Sequence, residues 1–158
     1  MYEPTERQVD DAVQQSMDMF ERAKVGEVAP VEPQTPQKLL VALDGSSQDA
    51  MSVAIAAALK DRFQCAVDLV DAREGAAEDD LAARSAQTLQ ATVLDKIDDD
   101  SYDQILAAIE VSQCDLVVVP SPFGRDLDKV GSDSTGTVID VLLTRSPAPL
   151  LVVRQTYQ

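Results

Sequence analysis

Nearly continuous apolar runs alternate with amphipathic stretches along residues 38–158. A run of this kind is typical of a strand that is covered on both faces of a sheet. Four such strands are expected, at 38–43 (KLLVAL), 65–72 (CAVDLVDA), 114–120 (CDLVVVP) and 149–154 (PLLVVR), with a weaker fifth near 91–97. Helical patterns separate them, at about 46–63, 79–89, from 101 onward and 137–145. This alternation predicts an α/β domain with a parallel sheet and right-handed crossovers.

The N-terminal stretch has a different pattern. Residues 5–24 predict an amphipathic helix, and Thr5 and Gln8 have the spacing of a capping box at its start. Helical spacing places a set of apolar side chains on one face: Val9, Ala12, Val13, Met17 and Phe20. Such a helix could pack on its own domain, on a dimer mate or on another protein.

A proline-rich segment follows this helix. Pro30, Pro33 and Pro36 recur at a spacing of three, which is typical of a polyproline-II spacer and cannot continue a helix. We therefore expect an N-terminal appendage at 1–37 and a separate domain at 38–158.

Two helices of the domain begin with capping signals. Ser46 or Ser47 is expected to cap the helix that ends near Phe63, and Ser101 with Gln104 has the spacing of a second capping box. An acidic triplet at 98–100 precedes this second helix. Three carboxylates could bind a metal, but acidic residues before a helix also interact favourably with its dipole, and we favour that interpretation.

Composition and charge limit the partners. The chain has 158 residues, 45% of them hydrophobic, and a net charge of -15. This negative field disfavours nonspecific binding to nucleic acid or to anionic membrane surfaces. No apolar run has the length of a membrane span, and the N-terminus lacks the features of a secretory signal. We expect a cytoplasmic protein without membrane insertion, in which Cys65 and Cys114 are buried free thiols.

Missing residues and motifs exclude several kinds of catalysis. The chain contains no histidine, which removes Ser-His-Asp and Cys-His catalysis and every histidine-containing metal site. Neither the G-x-x-x-x-G-K-[ST] phosphate-binding loop nor the G-x-G-x-x-G dinucleotide fingerprint occurs. We therefore expect that the protein is not an enzyme.

Ligands of open parallel sheets bind beyond the carboxyl ends of the strands, where the strand order reverses. If the first and fourth strands are neighbours, the segments 42–47 (ALDGSS) and 120–124 (PSPFG) meet at that place. Asp44 could then contact a ribose or hold a metal, and the amides of Gly136 and Thr137 would begin a helix that faces an anion. Arg125 could pair with a phosphate. Alternatively, Asp44 caps a turn and the glycines only form a loop.

The same segments resemble the universal stress protein family over nearly all of 38–154. The resemblance lies in KLLVALDGSSQDAMSVAIAAAL, CDLVVVPSPFGR and GTVIDVLLTRSPAPLLVVR. It implies an open five-stranded parallel sheet in the order 3-2-1-4-5, with helices on both faces, an adenine nucleotide alpha hydrolase-like architecture. It also implies homodimers that are joined through the last strand, 149–154.

In the nucleotide-binding branch of that family, the fourth strand is followed by G-2x-G-9x-G-[ST]. Here Gly124 matches the middle glycine and Gly136-Thr137 match the final pair, whereas Ser121 stands where the first glycine belongs. Eleven residues instead of nine separate Gly124 from Gly136, and three of them are aspartates. The motif is therefore degenerate.

The resemblance assigns the nucleotide site to nine positions: Ala42, Asp44, Asp71, Ser121, Gly124, Arg125, Gly136, Thr137 and Val138. Asp44 matches the acidic residue near ribose and metal, and the segment around Asp71 matches the edge that holds adenine. The implied ligand is ATP or ADP with Mg²⁺.

Three functions remain open. The first is a noncatalytic stress or signalling module that binds adenine nucleotide, and the second is a dimeric regulator that binds a partner protein and no nucleotide. The third is an ATP-using enzyme of the same architecture, but DGSSQD keeps only the small residues and an acid of the S-G-G-x-D-S motif of ATP pyrophosphatases. A receiver-like phosphoacceptor would need paired acids on the first strand and a lysine after the last, where this chain has one aspartate and Arg154.

Overall fold

The computed structural model of the protein describes residues 5–23, 32, 34–75, 79–97, 99–124 and 136–154. The chain forms two compact units, Met1–Gln34 and Thr35–Gln158. The division into an appendage at 1–37 and a domain at 38–158 stays a prediction.

The first unit contains helix α1, Glu6–Ala23. Its predicted capping box is confirmed, because the Thr5 amide donates to Gln8 Oε1 at 3.0 Å and the Gln8 amide donates to Thr5 Oγ1 at 3.4 Å. Val9, Val13 and Met17 of the predicted apolar face are exposed. Of the spacer prolines, Pro30 and Pro33 lie outside the described residues.

The second unit is a five-stranded parallel sheet with flanking helices, as the pattern predicted. The strands are β1 (Lys38–Leu43), β2 (Ala66–Asp71), β3 (Thr92–Val93), β4 (Leu116–Ser121) and β5 (Leu150–Arg154). The helices are α2 (Asp49–Phe63), α3 (Leu81–Leu89), α4 (Ser101–Ser112) and α5 (Thr137–Arg145). The strand order β3-β2-β1-β4-β5 confirms the expected topology.

Each face of the sheet has its own apolar cluster. Side chains of α4 and α5, such as Ile105 and Ile139, pack on one face with Leu40 and Val117. Side chains of α2 and α3 pack on the other face with Leu39 and Leu69. The central strands are buried on both faces, which explains why their sequences are apolar without alternation.

Three predicted boundaries are wrong in detail. Helix α2 begins at Asp49 after a turn, so Ser46 and Ser47 are not its N-cap, which is Gln48. Helix α4 has Asp100 as its N-cap, and the buried Gln104 side chain accepts the Ile97 amide at 2.8 Å instead of closing a capping box with Ser101. The weak strand expected at 91–97 shrinks to two residues, because most of that stretch leaves the sheet edge.

Both cysteines are free thiols. Cys65 is buried as expected, whereas Cys114 is only partly buried. Burial raises the pKa of both thiols above their usual range, which keeps them protonated at neutral pH. Among the described residues, no helix is long and apolar enough to cross a membrane.

The register aligns the ends of the central strands. Leu43 at the end of β1 pairs with Asp71 at the end of β2. On the side of β1 away from β2, β1 pairs with β4, and the pairing starts at Leu39 and Leu116. The loops after β1, β2 and β4 therefore leave the sheet at the same edge.

Candidate functional site

A cleft of about 530 Å³ lies at this edge of the sheet. Its size falls in the range of small-molecule sites. The loops after β1, β2 and β4 contribute to its lining, together with the first residues of α4 and α5. It is therefore formed where open parallel sheets bind ligands.

Asp44 ties the first loop to the fourth. Its Oδ1 accepts the Ser46 amide at 2.8 Å, and its Oδ2 accepts the Gly124 amide at 2.8 Å. Asp44 is buried and still lines the cleft. The predicted meeting of 42–47 with 120–124 thus depends on a carboxylate that bridges two backbone segments. Asp44 caps a turn, as one interpretation expected, and it also lines the cleft; its contact with a ribose or a metal stays a prediction.

A second carboxylate, that of Asp49, accepts hydrogen bonds from the backbone of the same turn. Asp49, at the start of α2, accepts the Asp44 amide at 3.0 Å and the Gly45 amide at 2.8 Å. It is 3% exposed. Burial and the neighbouring Asp44 carboxyl raise the pKa of Asp49 to about 7, although the two amides oppose this shift. Below about pH 7 the Asp49 carboxyl is therefore mostly protonated, close to the cleft.

Helix α5 begins at the cleft. Its N-cap, Gly136, has φ 85° and ψ 157°, a conformation that is essentially restricted to glycine. A Cβ there would lie 3.7 Å from Pro122 Cβ, so space is available and the backbone conformation is what requires glycine. Thr137 and Val138 in the first turn line the cleft, as does Tyr102 at the start of α4. Two helix N-termini thus border it, and both carry partial positive charge.

Arg73 forms the β2 side of the cleft. Its guanidinium donates to the Asp71 carboxylate at 2.9 and 2.5 Å and to the Asp79 carboxylate at 2.8 and 2.7 Å. Hydrogen bonds that the guanidinium donates to Asp79 and Asp71 raise the pKa of Arg73 above its usual range. The same contact lowers the pKa of Asp79 to about 2. Arg73 is consequently a charged side chain in a fixed position.

The described lining of the cleft is acidic. Asp44, Glu74 and Asp140 are its carboxylates, and Arg73 is already paired with two more. Within the described ranges, no cluster of three or more acidic, cysteine or histidine side chains could hold a metal ion. Within this described lining, the helix N-termini supply the positive partial charge that is not already paired.

The structure brings five of the nine predicted site residues together at the cleft: Asp44, Gly124, Gly136, Thr137 and Val138. Ala42 and Ser121 are fully buried within β1 and β4, and Asp71 faces Arg73. Arg125 falls outside the described residues, as do Asp126, Asp128 and Asp133.

Sequence reasoning missed Arg73, Asp49 and Tyr102. A signal for Arg73 was present in the sequence, because Arg73 comes two residues after the end of the second strand. Ligands of open parallel sheets bind beyond the carboxyl ends of the strands, and this loop is at such an end. The sequence held no such signal for Asp49, because its partners are backbone amides, which every residue except proline carries.

Comparisons with solved structures identify the fold. The structure resembles a hypothetical protein whose biochemical function was assigned from its structure, with a TM-score of 0.63 and 16% identity over 79% of this chain and 100% of that one. A universal stress protein in complex with cAMP gives a TM-score of 0.52 and 17% identity, over 76% of this chain and 98% of that one. A universal stress protein from Archaeoglobus fulgidus gives a TM-score of 0.51 and 15% identity, over 74% of this chain and 93% of that one.

By sequence alone, no family model matches the chain. No curated protein matches it either. The recognisable likeness lies in the arrangement of strands and helices, and the chain has the fold of the universal stress proteins.

Proposed function

We propose that the protein is a noncatalytic stress-response or signalling module that binds ATP or ADP with Mg²⁺ in the cleft. The observation that carries this proposal is the Asp44–Gly124 hydrogen bond, which joins the loops after β1 and β4 beside the N-terminus of α5. One of the universal stress proteins with this fold is described in complex with cAMP. That complex supports a nucleotide as the ligand class here.

The phosphates belong at the start of α5. There the first-turn amides after Gly136 provide donors, and the helix dipole adds roughly half an elementary positive charge. This charge is small beside that of a triphosphate, and the described lining adds three carboxylates. A divalent cation would offset the repulsion, and Asp44 is the residue that would hold it. Two amides and the Asp49 side chain occupy part of the Asp44 carboxylate, and its remaining acceptor capacity could contact a cation.

The absence of turnover is part of the proposal. The chain has no histidine and no phosphate-binding-loop lysine, and the described cleft holds no nucleophile paired with a base. Binding without hydrolysis would make the nucleotide a signal. We further propose that the protein works in the cytoplasm as a homodimer through 149–154, and that α1 docks on its own domain, the dimer mate or a partner protein.

Isothermal titration with ATP tests the site, in buffer with Mg²⁺ and in buffer with chelator. We expect binding only with Mg²⁺, and loss of binding in Gly136→Val, because valine cannot adopt the N-cap conformation. Gly75→Val is the matched control, since Gly75 also has a positive φ, of 76°, but does not line the cleft. Asp133→Asn should bind as well as wild type or more tightly, because it removes a carboxylate from the loop.

Equal binding in chelator would overturn the role of the cation. Normal binding by Gly136→Val would remove the assignment to α5. If no nucleotide binds under either condition, the alternative of a partner-binding regulator without nucleotide takes its place.

A further inference from the structure

Arg73 lines the β2 side of the cleft, and its planar guanidinium is held in place there. Four of its five N–H groups donate to carboxylates, through Nε and both terminal nitrogens. These donors lie in the plane of the group, so its edges are occupied by Asp71 and Asp79. The parts that remain for a ligand are its faces and one N–H.

Gly45 supports this arrangement from the turn after β1. A Cβ at Gly45 would lie 2.5 Å from Arg73 Cδ and 3.5 Å from its Nε. The stem of Arg73 therefore lies directly against the backbone of that turn. The Gly45 backbone lies against the Arg73 stem, and the Asp71 and Asp79 carboxylates bind the edges of the guanidinium. The guanidinium therefore cannot turn without breaking several contacts.

We propose that Arg73 is a specificity-determining residue, whose guanidinium face stacks on the planar base of the bound nucleotide. This inference rests on the nucleotide site proposed above. Guanidinium planes stack well on aromatic rings, and a plane that is already held loses little conformational entropy when a base covers it. Tyr102 supplies an aromatic side chain to the same cleft.

Arg73 is poorly suited to hold phosphate. Two carboxylates already neutralise its charge, and only one N–H is left to donate. To pair with a phosphate through both terminal nitrogens, it would have to leave Asp79. The base therefore belongs at Arg73 and the phosphates at the start of α5, which lines the same cleft.

The test compares ADP with inorganic pyrophosphate, which shares the diphosphate and lacks the base. Titrations with Mg²⁺ use wild type, Arg73→Lys and Arg84→Lys. Lysine keeps the charge and loses the plane. Arg84 is the control, because its ion pair with Asp80 (2.8 Å) lies on the exposed surface of α3. We expect Arg73→Lys to bind ADP about five- to tenfold more weakly, with pyrophosphate unchanged and Arg84→Lys equal to wild type.

A nuclear magnetic resonance measurement separates stacking from a structural role. The Arg73 Nε–H resonance, assigned by its loss in Arg73→Lys, should shift through the ring current of the base when ADP binds, and not when pyrophosphate binds. If Arg73→Lys binds ADP as tightly as wild type or more tightly, or if the Arg73 Nε–H resonance does not move with ADP, the stacking inference is wrong. The proposed nucleotide site would still stand. If the wild type binds neither ligand, the proposed function falls and the inference with it.

Discussion

The Oδ2 atom of Asp44 accepts the backbone amide of Gly124 at 2.8 Å, across 80 residues of sequence. This hydrogen bond links the ends of two neighbouring strands at the mouth of the cleft. Asp44 Oδ1 binds a second amide, that of Ser46. One buried side chain therefore sets the position of two loops.

Replacing Asp44 with alanine leaves both amides without their acceptor. We expect Asp44→Ala to lower the free energy of unfolding by about 2 kcal/mol at pH 6, because unsatisfied partly buried donors cost about 1 kcal/mol or more each. Urea denaturation measures the change. Asp61→Ala, which removes an exposed carboxylate from α2, should change stability by less than about 0.5 kcal/mol. Equal effects of the two substitutions would show that the Asp44 bridge contributes nothing.

Asp49 makes stability depend on pH. Its pKa is about 7 in the folded protein against an ordinary value of 3.8, so the folded state binds its proton more tightly than the unfolded state. This contribution is fully present below about pH 4 and is lost as the pH rises to about 7. Within that window the unfolding free energy should fall by up to about 1.4 kcal/mol per pH unit from this group.

The Asp49→Asn variant isolates that contribution. Asparagine does not titrate, so melting curves between pH 5 and pH 8 should show a flatter dependence than those of wild type. The repulsion among the many other acids is common to both proteins and cancels in the comparison. Parallel curves would contradict the assignment of the raised pKa to Asp49.

Three helices end on a glutamine in the left-handed conformation. Gln64, Gln90 and Gln113 have φ of 54°, 52° and 55° after α2, α3 and α4. This conformation costs a non-glycine residue roughly 1–2 kcal/mol. The Gln64 side chain offsets part of that cost by donating to the Asp61 carbonyl at 2.8 Å.

Glycine at the first of these positions should therefore stabilise the fold. We expect Gln64→Gly to raise the unfolding free energy by about 0.5–1 kcal/mol, as measured by urea denaturation. The matched substitution Gln87→Gly, inside α3, should lower it by about 1 kcal/mol, because glycine is a poor helix former. The same sign for both changes would refute this explanation.

How far the sequence predicts this fold depends on the element. The buried strands β1 and β4 were predictable because continuous apolar runs have few alternatives in an α/β pattern. The start of α2 was not, because Asp49 serves as the acceptor for two upstream amides and moves the helix start past both serines. The third strand was overestimated, since edge pairing depends on tertiary contacts that the sequence does not display.

The site was predictable where backbone geometry decides it and less so where side chains meet. Gly124 and Gly136 both have positive φ and both line the cleft, as their places in the motif implied. The Asp71 carboxylate accepts two hydrogen bonds from Arg73, and its expected contact with a ligand stays a prediction. A pairing of that kind depends on the path of the loop after β2, which residue spacing alone does not determine.

Among the described strands, β5 is an edge of the sheet and pairs with β4. Leu150 and Val152 are partly buried there. If the dimer forms through 149–154, replacing both with lysine should produce a monomer in light scattering at micromolar concentration. Val93→Lys on β3, the opposite edge, is the control and should leave a dimer. A wild-type monomer would remove the dimer proposal.

The most direct test of the nucleotide site is a ¹H–¹⁵N correlation spectrum recorded during titration with ADP and Mg²⁺. We predict that the largest shifts fall on the amides of Gly124, Gly136, Thr137 and Val138, with Gly75 and β3 nearly unmoved. Shifts confined to other surfaces, or none at saturating nucleotide, would contradict it.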